Sequence, residues 1–127
     1  MPLVEIFSGL SSPEALSRAA QVVHEVLVSA LKIPPDDRFQ LLRRIEPGMA
    51  YADAHYLGIE RTSESLFIRI TLRSGRTAEM KSALHRKIAE NLVASVSVRP
   101  EDIFIVLVEN ELIDWSFGNG VAQYAKA

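Results

Sequence analysis

The sequence predicts an α+β fold: a four-stranded mixed sheet with two helices on one face, built as a tandem β-α-β repeat. Short apolar runs of strand length alternate with two segments of helical periodicity. The two halves also match at a constant offset, since adding 65 to a residue number in the first half lands on its counterpart in the second. Ser12 maps to Thr77, Glu14 to Glu79, Val23 to Ile88 and Leu27 to Leu92. Ile33 maps to Val98, Pro35 to Pro100, Asp37 to Asp102 and Phe39 to Phe104, with no gap. A repeat of this kind is read before any other signal. The 127 residues suit one domain, 1–127, with pseudo-repeats at about 2–45 and 67–110 and a C-terminal arm at 111–127.

Residues 2–7 read as the first strand. Ser11 and Ser12 offer N-caps, Pro13 suits a first helical turn, and Glu14 suits the positive helix end. Leu16, Ala19, Ala20, Val23, Leu27, Ala30 and Leu31 then recur at helical spacing, and Pro34-Pro35 stops the helix. A strand follows at about 39–45, and Glu46-Pro47-Gly48 is a turn. Residues 49–65 are ambiguous, with a short strand expected near 55–59. Residues 66–72 (LFIRITL) form a strong strand. Thr77 caps a second helix with Met80, Leu84, Ile88 and Leu92 on one face, and residues 103–108 (IFIVLV) form the last strand. The tail reads as a turn with a short hairpin or arm.

This pattern has a consequence for assembly. Two β-α-β units put both helices on the same side of the sheet, yet LFIRITL and IFIVLV carry apolar residues on both faces, as strands do when both faces are covered. A closed oligomer is therefore expected to supply the second cover.

Composition excludes several functions. The chain has no cysteine, which removes disulfides, zinc-thiolate sites and thiol nucleophiles. A net charge of -2 and the lack of a Lys/Arg run give no basis for nucleic-acid binding. No apolar run approaches the roughly 20 residues of a membrane helix. The start, MPLVEIFSGL, does not read as a signal peptide, so no membrane partner and a cytoplasmic location are expected. His24, His55 and His85 show no metal-ligand spacing, and neither metal nor cofactor is expected.

Three places could carry chemistry. Pro2 becomes the amino terminus if Met1 is removed, and a prolyl terminus is a secondary amine: a base when neutral, a proton donor when charged. A free α-amino group titrates near ~7.7–8.0, and apolar burial disfavours its cation. The plain alternative is a proline that merely begins an edge strand. Arg73 and Arg76 lie between a strand end and a helix start, where anions bind in α/β folds, and two guanidinium forks could clamp a carboxylate. They could equally be exposed loop arginines. Asp37, after Pro34-Pro35-Asp36, could handle a proton or orient water, or serve as a turn residue like Asp102. Trp115 and Phe117 are more often packing or interface residues than ligand contacts.

Met1-Pro2-Leu3 followed by a β-α-β unit resembles the tautomerase superfamily (4-oxalocrotonate tautomerase-like). The stretch Ile33-Pro34-Pro35-Asp36-Asp37-Arg38-Phe39-Gln40 and the tail Val108-Glu109-Asn110, Asp114-Trp115-Ser116-Phe117-Gly118 and Gly120 resemble its malonate semialdehyde decarboxylase-like group. Arg73-Ser74-Gly75-Arg76, followed by Thr77, Glu79 and Lys81, resembles the arginine loop of its longer members. The resemblance implies the tautomerase fold in a homotrimer, with Pro2 as the catalytic group. It also implies that Arg73 and Arg76 bind and polarise an oxo-acid substrate, that Asp37 assists proton transfer or water activation, and that Trp115 and Phe117 line the pocket. The implied activity is cofactor-free tautomerisation of a small oxo acid by Pro2, with malonate semialdehyde decarboxylation, a lyase reaction, in the same frame. A hydratase or dehalogenase of an unsaturated short-chain acid, or a non-catalytic trimeric binding protein, are the alternatives. The sequence departs from the decarboxylase pattern at one point. That pattern separates its arginines by one residue, whereas Arg73 and Arg76 are separated by two, as in dehalogenase and hydratase relatives. No clear match to those relatives' additional active-site histidine or extended tail accompanies it.

Overall fold

A computed structural model describes residues 1–125; positions 126 and 127 of the C-terminal arm lie outside the described residues. The chain runs β1 (Leu3–Ser8), α1 (Pro13–Leu31), β2 (Phe39–Arg44), β3 (Leu66–Arg73), α2 (Ala78–Val96) and β4 (Ile103–Asn110). The sheet order is β2-β1-β3-β4. β1 pairs parallel with β2 and β3 with β4, while β1 and β3 pair antiparallel down the middle. This is the mixed sheet expected from the sequence.

Local chemistry explains the helices. The Ser12 hydroxyl accepts from the Ala15 amide and the Thr77 hydroxyl from the Met80 amide, so each helix has its N-cap. Each ends on a left-handed residue, Lys32 at φ 59° and Ser97 at φ 61°, again 65 positions apart. Leu16, Ala19, Val23 and Leu27 of α1, with Leu84, Ile88 and Leu92 of α2, bury against Val4, Ile6, Leu66, Ile68, Ile70 and Leu72 of the central strands. Each large side chain buried in this way contributes about 1.5–3 kcal/mol. Between β1 and α1, Gly9 donates to the Ser65 carbonyl at 2.7 Å, and a Cβ there would lie 2.2 Å from the Ser63 carbonyl oxygen. Only glycine fits so close an approach.

The other sheet face carries apolar side chains around a central Glu5–Arg69 ion pair at 3.6 Å. Phe39, Leu41, Phe104, Val106 and Val108 are exposed on it, and the Phe67 and Phe104 rings lie 5.5 Å apart.

Two local expectations are corrected. Residues 56–58 form a 3-10 turn rather than a strand near 55–59. Leu57 (φ 58°) and Gly58 (φ 72°) are left-handed, and the Asp53 carboxylate accepts from the His55 amide at 2.8 Å, which curls the segment. Among the described residues, the tail forms a 3-10 turn (Leu112–Asp114) and further turns, with no hairpin strands.

Asp102, between α2 and β4, is 1% exposed. It accepts from the Thr62 amide (2.6 Å), the Thr62 hydroxyl (2.7 Å) and the Ser65 hydroxyl (3.1 Å), and Arg99 lies 3.7 Å away. Burial pushes its pKa up, but the Thr62 and Ser65 hydrogen bonds and Arg99 outweigh burial and hold it below the usual carboxylate value. The ionised form is therefore stabilised by folding. Its contribution is present above the unfolded pKa of roughly 3.9 and fades as pH falls through the lower folded value. Asp102→Asn should lose about 1–3 kcal/mol at pH 7 and less near pH 3. Urea unfolding across that range checks it, and an equal loss at both pH values would refute the pH dependence.

Candidate active site

One end of the sheet gathers the residues singled out from the sequence. Leu3 pairs with Phe39 on β2 and with Thr71 on β3. The start of β1 therefore lies beside the start of β2 and the end of β3. Pro2, immediately before Leu3, is buried. The amino group of Met1 forms an ion pair with the Asp37 carboxylate, and both side chains are largely enclosed at 14% and 19% exposure. Asp37, from the loop before β2, thus aims at the chain start across the β1–β2 pair.

β3 ends at Arg73, whose register partner is Asn110 at the end of β4. Arg73 is exposed and Arg76 half-buried. Arg76 donates from Nη1 to the Arg73 carbonyl at 3.0 Å. Burial lowers the Arg76 pKa from its usual value, the Arg73 charge lowers it further, and Glu109 opposes them. An arginine so placed remains a cation near neutrality. Glu109 is itself engaged by Lys81 at 2.8 Å.

The tail closes the end. Ser74, in the arginine loop, donates its amide to the Asn110 carbonyl (2.7 Å) and its hydroxyl to Glu111 (2.8 Å). The Trp115 indole donates to the Asn110 side-chain oxygen at 2.8 Å. Trp115 stacks on Phe117 with ring centres 5.6 Å apart and a 9° interplanar angle, and Phe117 packs 5.7 Å from Phe39. Tyr124 meets Phe117 edge-on at 5.3 Å. The arrangement combines an aromatic wall, a pair of cations and a carboxylate aimed at an amine. It can hold a small acid and move protons on it. Among the described residues no cluster of His, Cys, Asp or Glu could hold a metal, and no helix is long and apolar enough to cross a membrane.

Reading the sequence did not assign Asn110 as the Trp115 anchor, or Phe39 and Tyr124 as part of the aromatic wall. The signal for Asn110 was a polar residue ending an apolar strand ahead of a tryptophan.

A cavity of about 560 Å³ lies at the opposite end of the sheet, beside Ser11, Arg44, Ala50, Ala52, Arg61 and Phe67. By the 65-residue offset it is the image of the site: Phe67 stands for Pro2, Ser11 for Arg76, Ala50 for Trp115 and Ala52 for Phe117. Alanines in place of aromatic rings open the space, and the amine and the paired arginines have no counterpart there.

These features define a doubled β-α-β protein with cations, a carboxylate and aromatic rings gathered at one sheet end. The chain belongs to the tautomerase family: models described as tautomerase enzyme match residues 37–118 and 2–59. It is 40% identical over 124 residues to the probable tautomerase YusQ of Bacillus subtilis (strain 168), covering 97% of this chain and 98% of that one. Among solved structures it resembles FG41 malonate semialdehyde decarboxylase inhibited by 3-bromopropiolate (38% identity, TM-score 0.87, 96% of this chain and 93% of that one). It also resembles a malonate semialdehyde decarboxylase whose structures are described as a basis for decarboxylase and hydratase activities (26% identity, TM-score 0.85, 95% and 94% covered).

Proposed function

We propose that this chain is a cofactor-free, isomerase-type enzyme that uses Pro2, freed by removal of Met1, for proton transfer on a small oxo acid. The observation carrying this reading is the convergence at one sheet end of the chain start, Asp37, Arg73, Arg76 and the Trp115–Phe117 wall. Arg73 and Arg76 hold the substrate carboxylate and the oxygen of its neighbouring carbonyl. Neutral Pro2 takes a proton from the carbon beside that carbonyl, leaving an enolate that the guanidinium groups stabilise. The prolinium then returns the proton to oxygen, completing tautomerisation; the reverse sequence ketonises an enol. Asp37 stabilises the cationic amine between the two steps.

Malonate semialdehyde decarboxylation is the second reading. It is favoured by the 38% and 26% identical relatives and by the Asp37 carboxylate at the amine. A panel of phenylpyruvate enol, malonate semialdehyde and a 3-haloacrylate separates tautomerase, decarboxylase and hydratase or dehalogenase activities. Failure on the whole panel, or mass spectrometry showing Met1 retained, would favour the non-catalytic binding alternative.

The assembly belongs to the same proposal. The apolar sheet face formed by Phe39, Leu41, Phe104, Val106 and Val108 is the surface a closed homotrimer would bury. Phe104→Glu would place an unpaired charge on this face beside Phe67. It should convert a trimer to monomers in size-exclusion chromatography with light scattering. A wild-type chain that runs as a monomer would refute the trimer.

A further inference from the structure

We propose that His24 is a positioning residue that holds the Pro34–Asp37 loop open so that Asp37 reaches the chain start; the inference rests on the active-site reading of Asp37. His24, on α1, is 7% exposed, and its Nε2 lies 2.7 Å from the Pro35 carbonyl oxygen. A carbonyl can only accept, so Nε2 carries the proton. The exposed charged groups beside His24 are Glu25 and Arg38. Arg38 is turned to Gln21 (2.7 Å) and Gln40 (2.8 Å), and Gln40 donates to the Ala20 carbonyl at 2.9 Å. The loop is thereby fastened to α1 on both sides of Asp37: at Pro35 by His24 and at Arg38 by the glutamines.

The second half of the repeat supplies a built-in comparison. Its loop has the same opening turn, with Asp37 N–H donating to the Pro34 carbonyl in one half and Asp102 N–H to the Arg99 carbonyl in the other, both at 3.0 Å. The offset then places Pro100 at Pro35 and Ala89 at His24. With no histidine to take it, the Pro100 carbonyl accepts from the Ile103 amide, and the loop winds into a 3-10 turn (Pro100–Asp102). Asp102 then turns inward to Thr62 and Ser65. In the first half His24 takes the equivalent carbonyl, the segment passes directly into β2, and Asp37 faces the amino terminus. Asp102 thus meets the segment leading into β3 as Asp37 meets the residue leading into β1, and what the buried donor distinguishes is the loop: open and clamped to α1 before β2, wound on itself before β4.

Two variants separate donation from bulk. His24→Phe keeps a ring and removes the donor, while His24→Gln places an amide N–H near the Nε2 position. On the best panel substrate, His24→Phe should lower kcat about tenfold or more with KM nearly unchanged, and His24→Gln should recover most of it. Because His24 acts through Asp37, His24→Phe combined with Asp37→Asn should be no slower than Asp37→Asn alone. Wild-type kcat in His24→Phe, no recovery by glutamine, or additive losses would each overturn the proposal. A second readout does not require turnover: NMR titration of the 15N-labelled N-terminal amine. Its midpoint should move in the same direction in His24→Phe as in Asp37→Asn, and an unmoved midpoint in His24→Phe would also overturn the proposal. Full activity in Asp37→Asn would instead refute the catalytic role of Asp37 and leave the loop assignment to the titration.

Discussion

A version of this protein carrying one extra alanine before Pro2 should lose at least ~10³-fold in kcat/KM, because acylation turns the amine into an amide that is neither base nor nucleophile at neutral pH. That factor is about 4 kcal/mol of transition-state stabilisation. Pro2→Ala tests a different point. It keeps a free amine but replaces a secondary amine on a rigid ring with a flexible primary one, so a smaller loss of about 10–10² is expected. The order matters more than either value, with the extension more damaging than the substitution. Expression with any tag at the C-terminus, and mass spectrometry of the mature N-terminus, must accompany the kinetics. Full turnover by the extended protein would end the proline mechanism. Neither change touches the Leu3–Ser8 strand or its pairing on both sides, so the comparison reads the amine and not the fold.

Arg76→Ala should cost about 10²–10³ in kcat/KM, more than Arg73→Ala. Arg76 is half-buried and Arg73 exposed, so water screens Arg73 more strongly. Arg76 also packs its guanidinium on the Arg73 carbonyl at 3.0 Å, which orients the fork before substrate arrives. Arg76→Lys should recover less than tenfold of the loss, since one ammonium cannot make two parallel hydrogen bonds to a carboxylate. Loss of a guanidinium removes a like charge facing the Pro2 amine and so favours the prolinium, and any movement of the pH–rate profile should be toward higher pH. Steady-state kinetics with phenylpyruvate enol read all three variants. An Arg76→Ala enzyme with wild-type kcat and KM would remove the arginines from the mechanism.

The parts of the fold legible in the sequence are those set by nearest neighbours. Ser12 and Thr77 cap because their hydroxyls meet an amide three residues on, and the 65-residue offset carries through to both left-handed helix ends. The 55–59 segment was misread because Asp53 and Gly58 impose a turn that residue types alone do not distinguish from a weak strand. Of the site, Pro2, Asp37, Arg73, Arg76, Trp115 and Phe117 were named from the chain. Asn110 and His24 were not assigned roles, because each acts on a residue that only folding brings within reach.

The sequence by itself determined the order of the six main elements, the doubling and which groups are candidates for the chemistry, since periodicity, capping and side-chain chemistry are local properties. Tertiary structure alone decided which groups meet. Antiparallel pairing of β1 with β3 sets the chain start beside the arginine loop, and parallel pairing with β2 sets it beside Asp37. Asp37 and Asp102 sit in the same Pro-acid-Asp frame and point to different ends. The reason is physical: β1 and β3 run antiparallel, so the loops that lead into β2 and β4 lie at opposite ends of the sheet.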